Sequence, residues 1–278
     1  MQFRPVTAPS FTALTAAAAR AAHLIVDADP KIFTDDLAAP LLGERAGELL
    51  AYHRNHGDQP VLAGARTQAL VRSRYTEAQL GGVTQYVVLG AGLDTYAYRA
   101  RGSAVRVFEV DRPETQAWKR GQLALNGIPA AASVAYVPLD LESGDLVAAL
   151  TGQGFDVSRP ALVSWLGVTM YLTRAAIART LAVLGGFAPG SQLVADYLLL
   201  PRLRDEAGAA YADLVAPVAA QRGEPWLSCF SPESLTDLLR DNGFGPVRHV
   251  RQHDHDVWPR TDALRPAGLS VLAHAAVA

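Results

Sequence analysis

The sequence predicts an α/β protein in which a helical N-terminal segment precedes a doubly wound parallel sheet. Residues 1–80 contain helix-length segments separated by proline and glycine, without a strand pattern. From residue 83, short apolar runs alternate with helix-length segments, as in βαβ units whose parallel sheet is covered by helices on both faces. The first apolar run ends in a glycine-rich turn, Gly90-Ala-Gly92. Ligands of open parallel sheets bind at this end of the strands, so the turn marks the expected site.

The N-terminal segment is predicted to form three helices. An alanine-rich helix spans Thr12–Val26 and stops before Asp29-Pro30, because a residue that precedes proline avoids the helical conformation. Two further helical stretches are expected around residues 34–55 and 65–80. The breaks in this segment are proline and glycine residues: Pro40, Gly57 and Pro60.

Strands and helices alternate along the rest of the chain. The first five strand candidates are Gln85–Gly90, Val105–Val110, Val134–Pro138, Ala161–Leu166 and Gln192–Leu198. The helices predicted between them, with glycine or proline at their edges, are Pro113–Leu125, Asp145–Gln153 and Arg174–Gly185. A later helix begins after Ser231, a residue that caps helix N-termini, and closes at Asn242-Gly243. Two final strands are expected at Val247–Arg251 and Leu269–Ala273.

The composition is that of a globular protein with a large core. Of the 278 residues, 50% are hydrophobic and 19% charged, which excludes intrinsic disorder. A single cysteine excludes a disulfide scaffold, and the net charge of −2 lacks the basic footprint of a nucleic-acid binder. No apolar run approaches the ~20 residues of a membrane span, and Arg20 interrupts the apolar stretch that resembles a signal peptide. We therefore expect a cytoplasmic protein without a nucleic-acid or membrane partner.

Groups at the ends of three successive strands form a predicted nucleoside site. Gly90 and Gly92 allow the backbone to turn sharply and to approach a ligand closely. Asp111 stands at the end of the second strand, 21 positions after Gly90, where an acid can accept hydrogen bonds from ribose hydroxyls. Asp140 ends the third strand and can accept a hydrogen bond from the amino group of adenine.

Thr95 distinguishes among nucleoside ligands. The dinucleotide-binding fingerprint requires a third small residue, Gly or Ala, at the position that Thr95 occupies here. This disfavours a pyrophosphate held at a helix N-terminus and favours an adenosyl ligand without phosphates. An NAD-dependent oxidoreductase and a catalytically silent adenosyl-ligand-binding protein remain the alternatives.

The run Tyr86–Arg99 resembles motif I of the leucine carboxyl methyltransferase family, whose members are class I S-adenosylmethionine-dependent enzymes that methylate oxygen, carboxylates included. Phe108–Pro113 is similar to the family's ribose motif and Pro138–Leu141 to its adenine motif. Three further segments look like family sequence: Met170–Leu172, Gly223–Trp226 and Phe230–Pro232. The resemblance covers nearly the whole chain and marks it as similar to bacterial members.

The resemblance implies a single class I methyltransferase domain over residues 1–278. A helical cap or lid, residues 1–80, would close over a Rossmann-like core, residues 81–278, with seven strands of which the last is antiparallel. The implied cofactor is S-adenosyl-L-methionine. Its implied binding residues are Arg72, Gly90, Ala91, Gly92, Asp111, Asp140 and Leu141.

Each of these residues has an implied role toward the cofactor. The glycine turn would line the methionine part, Asp111 would hold the ribose, and Asp140 with Leu141 would frame the adenine. A basic residue of the N-terminal helices would contact the cofactor carboxylate. Arg72 matches this role best, with Arg74 and Arg20 as weaker candidates, because a guanidinium makes bidentate contacts with carboxylates.

The expected reaction is O-methylation of a small molecule or a peptide, at a carboxylate or an acidic hydroxyl. Relatives often carry Glu where this chain has Leu166, so a protein C-terminal leucine is not carried over as the acceptor. In-line methyl transfer depends mainly on proximity and alignment. A carboxylate is already ionised at neutral pH and needs no general base, and the sequence offers no evident base. No catalytic residue is assigned.

Three other features receive minor interpretations. The run His253–Asp256 is interpreted as a solvated loop, and no metal site is predicted. Such a loop can also border the substrate mouth, where a histidine could act as a base. Arg260 and Arg265, in the final loop, are candidates for binding an acceptor carboxylate. Tyr171 follows the fourth strand and can face the site, whereas Trp165 and Trp226 are expected in the core.

Overall fold

The N-terminal part of the chain is helical, as predicted. The computed structural model describes residues 9–258 and 260–278. Its first four helices are α1 (Phe11–Val26), α2 (Ala38–Leu41), α3 (Ala46–His56) and α4 (Pro60–Glu77). Ser10 caps α1, since its side-chain oxygen accepts a hydrogen bond from the Ala13 N–H at 3.1 Å. The stretch predicted as one helix over 34–55 is broken at Gly43, whose φ of +58° reverses the helical path.

A buried polar cluster holds α1, α3 and α4 together. The Arg66 guanidinium contacts both carboxylate oxygens of Asp27, at 2.8 and 2.9 Å, and donates to His53 Nδ1 at 3.1 Å. His23 contacts the same aspartate at 2.9 Å. Burial lowers the pKa of His53 to about 4, and the neighbouring Arg66 charge acts in the same direction. Because all four side chains are buried, loss of one partner would cost about 3–5 kcal/mol.

The remaining chain forms one seven-stranded sheet. The strands are β1 (Gln85–Leu89), β2 (Arg106–Asp111), β3 (Val134–Pro138), β4 (Leu162–Trp165), β5 (Gln192–Leu198), β6 (Phe244–Arg251) and β7 (Ser270–Val277). Their order is β3-β2-β1-β4-β5-β7-β6. β1 to β5 are parallel, and β7 pairs antiparallel with both β5 and β6. The predicted doubly wound, seven-stranded α/β fold with its last strand antiparallel is thereby confirmed.

Six helices connect these strands: α5 (Tyr96–Arg99), α6 (Pro113–Leu125), α7 (Leu146–Gly152), α8 (Arg174–Leu184), α9 (Glu206–Gln221) and α10 (Pro232–Asp241). The prediction did not include α9. Its sequence is rich in alanine and contains an internal proline, Pro217, so no apolar period stands out. Its start is nevertheless encoded, because the Asp205 side chain accepts a hydrogen bond from the Gly208 N–H at 2.7 Å.

The two faces of the sheet carry two separate apolar clusters. In β1, Val87 and Leu89 pack on one face with side chains of α8 and α10. Tyr86 and Val88 pack on the opposite face with α1 side chains, Leu14 among them. The alternation follows from the two-residue period of a strand, and it makes α1 a core element of one face. Within the described part of the chain, no helix is long and apolar enough to cross a membrane.

Candidate functional site

A cavity of about 840 Å³ lies at the carboxyl ends of β1 to β4. The seven residues that the sequence analysis assigned to cofactor binding all line it: Arg72, Gly90, Ala91, Gly92, Asp111, Asp140 and Leu141. Much of the remaining wall is formed by residues of α1, α4 and α9, of the loop after β4 and of the segment 223–227. The cavity volume is near the upper end of the ~300–1,000 Å³ typical of small-molecule sites.

The glycine turn after β1 is tied to β2 and to the loop after β4. The N–H groups of Gly90 and Ala91 both donate to the Val110 carbonyl, at 2.8 and 3.0 Å. Gly90 has a φ of +66°, and a Cβ there would stand 2.4 Å from Cγ2 of Val168. Glycine at position 90 is therefore required for the turn and for packing against Val168.

Asp111 connects the ends of β1 and β2. Its Oδ2 accepts a hydrogen bond from the Gly92 N–H at 2.6 Å, and its Oδ1 accepts one from the Arg112 N–H at 2.7 Å. Burial raises the pKa of Asp111, against the effect of these two backbone donors. Each carboxylate oxygen has a second lone pair, so the side chain fixes the glycine turn and can still accept from ligand hydroxyls.

Asp140 occupies the equivalent place after β3. Its Oδ1 accepts a hydrogen bond from the Glu142 N–H at 2.9 Å, and its Oδ2 lies 3.4 Å from Nε of Arg112. The side chain is partly exposed toward the cavity, and Leu141 beside it lines the same wall. The ends of β2 and β3 thus present two carboxylates on one side of the cavity.

Arg72 reaches the cavity from α4 and is held there by Asp196, a residue that the sequence analysis did not assign. Arg72 Nη1 donates to Oδ2 of Asp196 at 2.8 Å, and the Gly167 N–H donates to Oδ1 at 2.6 Å. The Asp196 side chain is only 3% exposed. A charged residue inside the apolar strand β5 was the signal that could have revealed it, because a buried acid requires partners.

Arg20 and Arg74, the two weaker candidates for contacting the cofactor carboxylate, differ in their position relative to the cavity. Arg20 lines the cavity, but its guanidinium is engaged by Asp35 at 2.7 Å and by the Leu93 carbonyl at 2.7 Å. Through these contacts Arg20 fastens α1 to the loop that follows the glycine turn. Arg74 is exposed, lies outside the cavity and donates to the Ile32 carbonyl at 3.2 Å.

Aromatic and polar side chains form the opposite end of the cavity. Tyr171, Tyr211 and Trp226 line this end together with Glu224. Burial raises the pKa of Tyr171, and it raises that of Tyr211 to about 12, so both phenols are protonated at neutral pH. Glu224 accepts hydrogen bonds from the backbone N–H of Thr12 at 3.3 Å and from its hydroxyl at 3.0 Å. The segment 223–227 is thereby joined to the start of α1 over the cavity.

Two sequence expectations about this end are wrong. Arg260 and Arg265 lie outside the cavity. Arg260 donates to Asp262 and to the Ala28 and Pro30 carbonyls, because the final loop packs on the turn after α1 rather than on the substrate mouth. The run His253–Asp256 is largely exposed, as expected for a solvated loop, but it lies away from the cavity lining and does not border the substrate mouth. Trp226, expected in the core, packs partly buried against an apolar cluster that includes Met170 and also lines the cavity, whereas Trp165 is fully buried as predicted.

Comparison with known proteins identifies the family. A family model described as "Leucine carboxyl methyltransferase" matches residues 13–185. The chain belongs to the leucine carboxyl methyltransferase family. The resemblance that motif I carries in the sequence is thus confirmed. Membership makes the chain an S-adenosyl-L-methionine-dependent methyltransferase, as expected, and sets aside the oxidoreductase alternative.

Relatives and solved structures agree with this assignment. The chain is 30% identical over 273 residues to the "Putative S-adenosyl-L-methionine-dependent methyltransferase YktD" of Bacillus subtilis, covering 88% of this chain and 89% of that protein. A "putative methyltransferase" from Thermobifida fusca has the same fold, with a TM-score of 0.63, 19% identity and 99% coverage of both chains. A DUF574 family protein from Streptomyces avermitilis aligns with a TM-score of 0.62 and 17% identity, over 97% of this chain and 98% of that one.

The cavity fits the cofactor of this family. Strand-end carboxylates suited to ribose hydroxyls and to an adenine amino group stand beside the glycine turn. A guanidinium, that of Arg72, is available on the wall formed by α4. One end of the cavity therefore has the donor and acceptor groups that an adenosyl amino acid requires, and the aromatic end leaves room for a second molecule.

Proposed function

We propose that this methyltransferase transfers the methyl group of S-adenosyl-L-methionine to an oxygen of a small-molecule or peptide acceptor, most favourably a carboxylate. The bound cofactor supplies an electrophilic methyl group on a sulfonium centre. In the proposed reaction an O–CH₃ bond forms as the S–CH₃ bond breaks, and S-adenosylhomocysteine leaves. The chain's own contribution is to hold the two reactants close and collinear, which suffices for large rate enhancements.

The cofactor-binding roles proposed for the cavity residues follow from their contacts. Asp111, fixed by two backbone N–H groups, accepts hydrogen bonds from the ribose. Asp140 and Leu141 frame the adenine. Arg72, oriented by Asp196, contacts the cofactor carboxylate, and Gly90–Gly92 lie along the methionine part. We likewise propose that residues 1–80 act as the cap of a core formed by residues 81–278, since α1 and α4 supply walls of the cavity.

One observation favours a carboxylate acceptor over an alcohol. Among residues 9–258 and 260–278, the cavity lining contains no histidine, lysine or cysteine. Both tyrosines at the aromatic end have raised pKa values and are therefore poor bases at neutral pH. The Glu224 carboxylate is engaged by Thr12. An alcohol must lose its proton as the new bond forms, whereas a carboxylate has none to lose.

Methyl transfer from isotopically labelled cofactor to a panel of carboxylic acids, phenols, alcohols and amines tests the proposal. The expected product is a methyl ester, whose label is released by mild base. The rate with a carboxylic acid should vary little between about pH 6 and pH 9, because the acceptor is ionised throughout. Transfer confined to amines or to carbon would overturn the assignment, and transfer confined to phenols would replace the carboxylate with an acidic hydroxyl.

A further inference from the structure

The helix α9 carries an apolar stripe that begins inside the cavity and ends at the surface. Tyr211, Leu214, Val215 and Val218 are spaced i, i+3, i+4 and i+7, so they lie along one side of the helix. Tyr211 and Val215 line the cavity. Leu214 and Val218 are 61% and 44% exposed. We call these four side chains the α9 stripe.

Leu227 extends the apolar surface at the mouth of the same cavity. It lines the cavity and is 52% exposed, and its N–H donates to the Met170 carbonyl at 2.7 Å, which fixes its place. The segment that bears it folds back on α9, because the Glu224 N–H donates to the Ala219 carbonyl at 2.9 Å. Leu227 follows Glu224 by three residues and so lies within ~10 Å of that anchor along the chain.

The cavity is polar where the stripe begins. Tyr211 and Tyr171 both lie within the electrostatic influence of Arg72, whose positive charge acts to lower their pKa values. A molecule that occupies the aromatic end therefore meets phenol donors inside, in the positive field of the Arg72 guanidinium, and leucine and valine side chains toward the solvent. This gradient is complementary to an amphiphile whose oxygen-bearing head enters first.

We infer that the α9 stripe and Leu227 form a binding surface for the apolar body of the methyl acceptor, which is a carboxylic acid with an extended hydrocarbon portion. The carboxylate head group of this acceptor is taken from the proposed function, and the inference adds a binding surface for its hydrocarbon tail. Apolar side chains that continue the wall of a cavity outward provide apolar area that a ligand emerging from the cavity can cover. A second copy of the chain fits less well, because Leu214, Val218 and Leu227 offer far less area than the ~800 Å² per partner of a stable interface.

The inference predicts that affinity rises with the length of the acceptor. A methylene group that becomes fully covered strengthens binding by about fourfold, and one covered on a single side by about twofold. Short acids, which end inside the cavity, should bind almost independently of the α9 stripe. The gain in affinity per added carbon should appear only when the hydrocarbon portion of the acceptor is long enough to reach Leu214 and Val218.

Calorimetric titration of the enzyme saturated with S-adenosylhomocysteine measures this directly, since no turnover is involved. The ligands are butanoate, hexanoate, octanoate and decanoate, and the alkyl amines and alcohols of the same lengths. The test variant is the double substitution Leu214→Ser with Val218→Ser. Leu125→Ser is the matched control, because Leu125 is 79% exposed at the end of α6 and lies outside the cavity lining.

We expect the double variant to lose the length dependence, roughly ten- to thirtyfold for decanoate. Binding of butanoate and of S-adenosylhomocysteine should be unchanged, and Leu125→Ser should behave as the unaltered protein. Length-independent binding, or a length dependence that the double variant retains, would overturn the inference. So would sedimentation showing a dimer that the double variant dissociates, since the stripe would then be a contact between copies.

The outcomes distinguish the inference about the α9 stripe and Leu227, called here the tail surface, from the proposal that the acceptor's head group is a carboxylate. If amines or alcohols bind with the stripe-dependent length effect and acids do not, the tail surface stands and the carboxylate proposal fails. If short acids are methylated and longer ones bind no better, the carboxylate proposal stands and the tail surface fails. Absence of binding by every head group at every length would overturn the tail surface.

Discussion

Replacement of Gly167 by alanine should displace Arg72 from its position in the cavity. Gly167 has a φ of +72°, and a Cβ there would lie 2.6 to 3.0 Å from the guanidinium atoms of Arg72. A free arginine would simply move aside. This one is held by Asp196 at 2.8 Å, so movement must break or distort that ion pair.

The loss of stability expected for Gly167→Ala is the sum of two contributions to the free energy of unfolding. An L-residue in the left-handed conformation costs about 1–2 kcal/mol. Loss of a hydrogen bond between charged groups adds about 1.5–3 kcal/mol, which gives about 2.5–5 kcal/mol for Gly167→Ala. Gly190→Ala is the matched control, because Gly190 has a φ of +83° and nothing within 4 Å of the added Cβ, so it bears the backbone cost alone.

Urea unfolding of the unaltered protein and of four variants measures the effect: Gly167→Ala, Gly190→Ala, Arg72→Ala and the Gly167→Ala, Arg72→Ala double variant. In the absence of the Arg72 guanidinium, Gly167→Ala should cost only the ~1–2 kcal/mol of the control. Gly167→Ala should also weaken binding of S-adenosylhomocysteine by about ten- to hundredfold, because Arg72 leaves the cavity. Equal costs for Gly167→Ala and Gly190→Ala, within about 0.5 kcal/mol, would refute the reasoning.

Three further predictions concern other parts of the molecule. Asp111→Asn should lower the affinity for S-adenosylhomocysteine by about ten- to 150-fold in calorimetry, since a hydrogen bond to a charged acceptor is lost; unchanged affinity would exclude the ribose role. Burial lowers the pKa of His53 from about 6.5 in the unfolded chain to about 4 in the folded chain. Its contribution to the free energy of unfolding is therefore complete above about pH 6.5 and is lost as the pH falls toward 4. In urea unfolding, the free energy of unfolding should fall by up to about 3 kcal/mol over this pH range, and the fall should be smaller in His53→Gln. Glu224→Gln should reduce kcat by less than about tenfold and leave its pH profile unchanged, because Glu224 anchors Thr12; a loss of roughly 10²–10⁴ would instead identify a general base.

The parts of the fold that could be predicted are those encoded by local pattern. Short apolar runs with β-branched residues predicted the strands, and Ser231 and Thr173 cap their helices as such residues do. The helix α9 escaped because its alanines blur the apolar period, although Asp205 marked its start. Its omission also concealed Tyr211 and Val215, which only the packing of α9 on α4 brings to the cavity.

The same distinction between local pattern and tertiary packing applies to the functional site. Topology alone brings strand ends together, so the sequence was enough to predict that Gly90, Asp111 and Asp140 share one crevice. The partner of Arg72 could not be predicted, since Asp196 is 124 positions away and meets it only in the folded chain. Arg260 was misjudged for the converse reason, because a loop's direction depends on tertiary contacts that its own sequence does not encode.

Every proposed role of the cavity residues requires that the cavity at the ends of β1 to β4 bind S-adenosylmethionine. Calorimetric titration with S-adenosylhomocysteine, with NADH as the comparison ligand, tests this without knowledge of the acceptor. We predict one S-adenosylhomocysteine bound per chain, weakened by Asp111→Asn and by Arg72→Ala but not by Leu125→Ser, and no heat with NADH. Tight NADH binding without any response to S-adenosylhomocysteine would contradict the account.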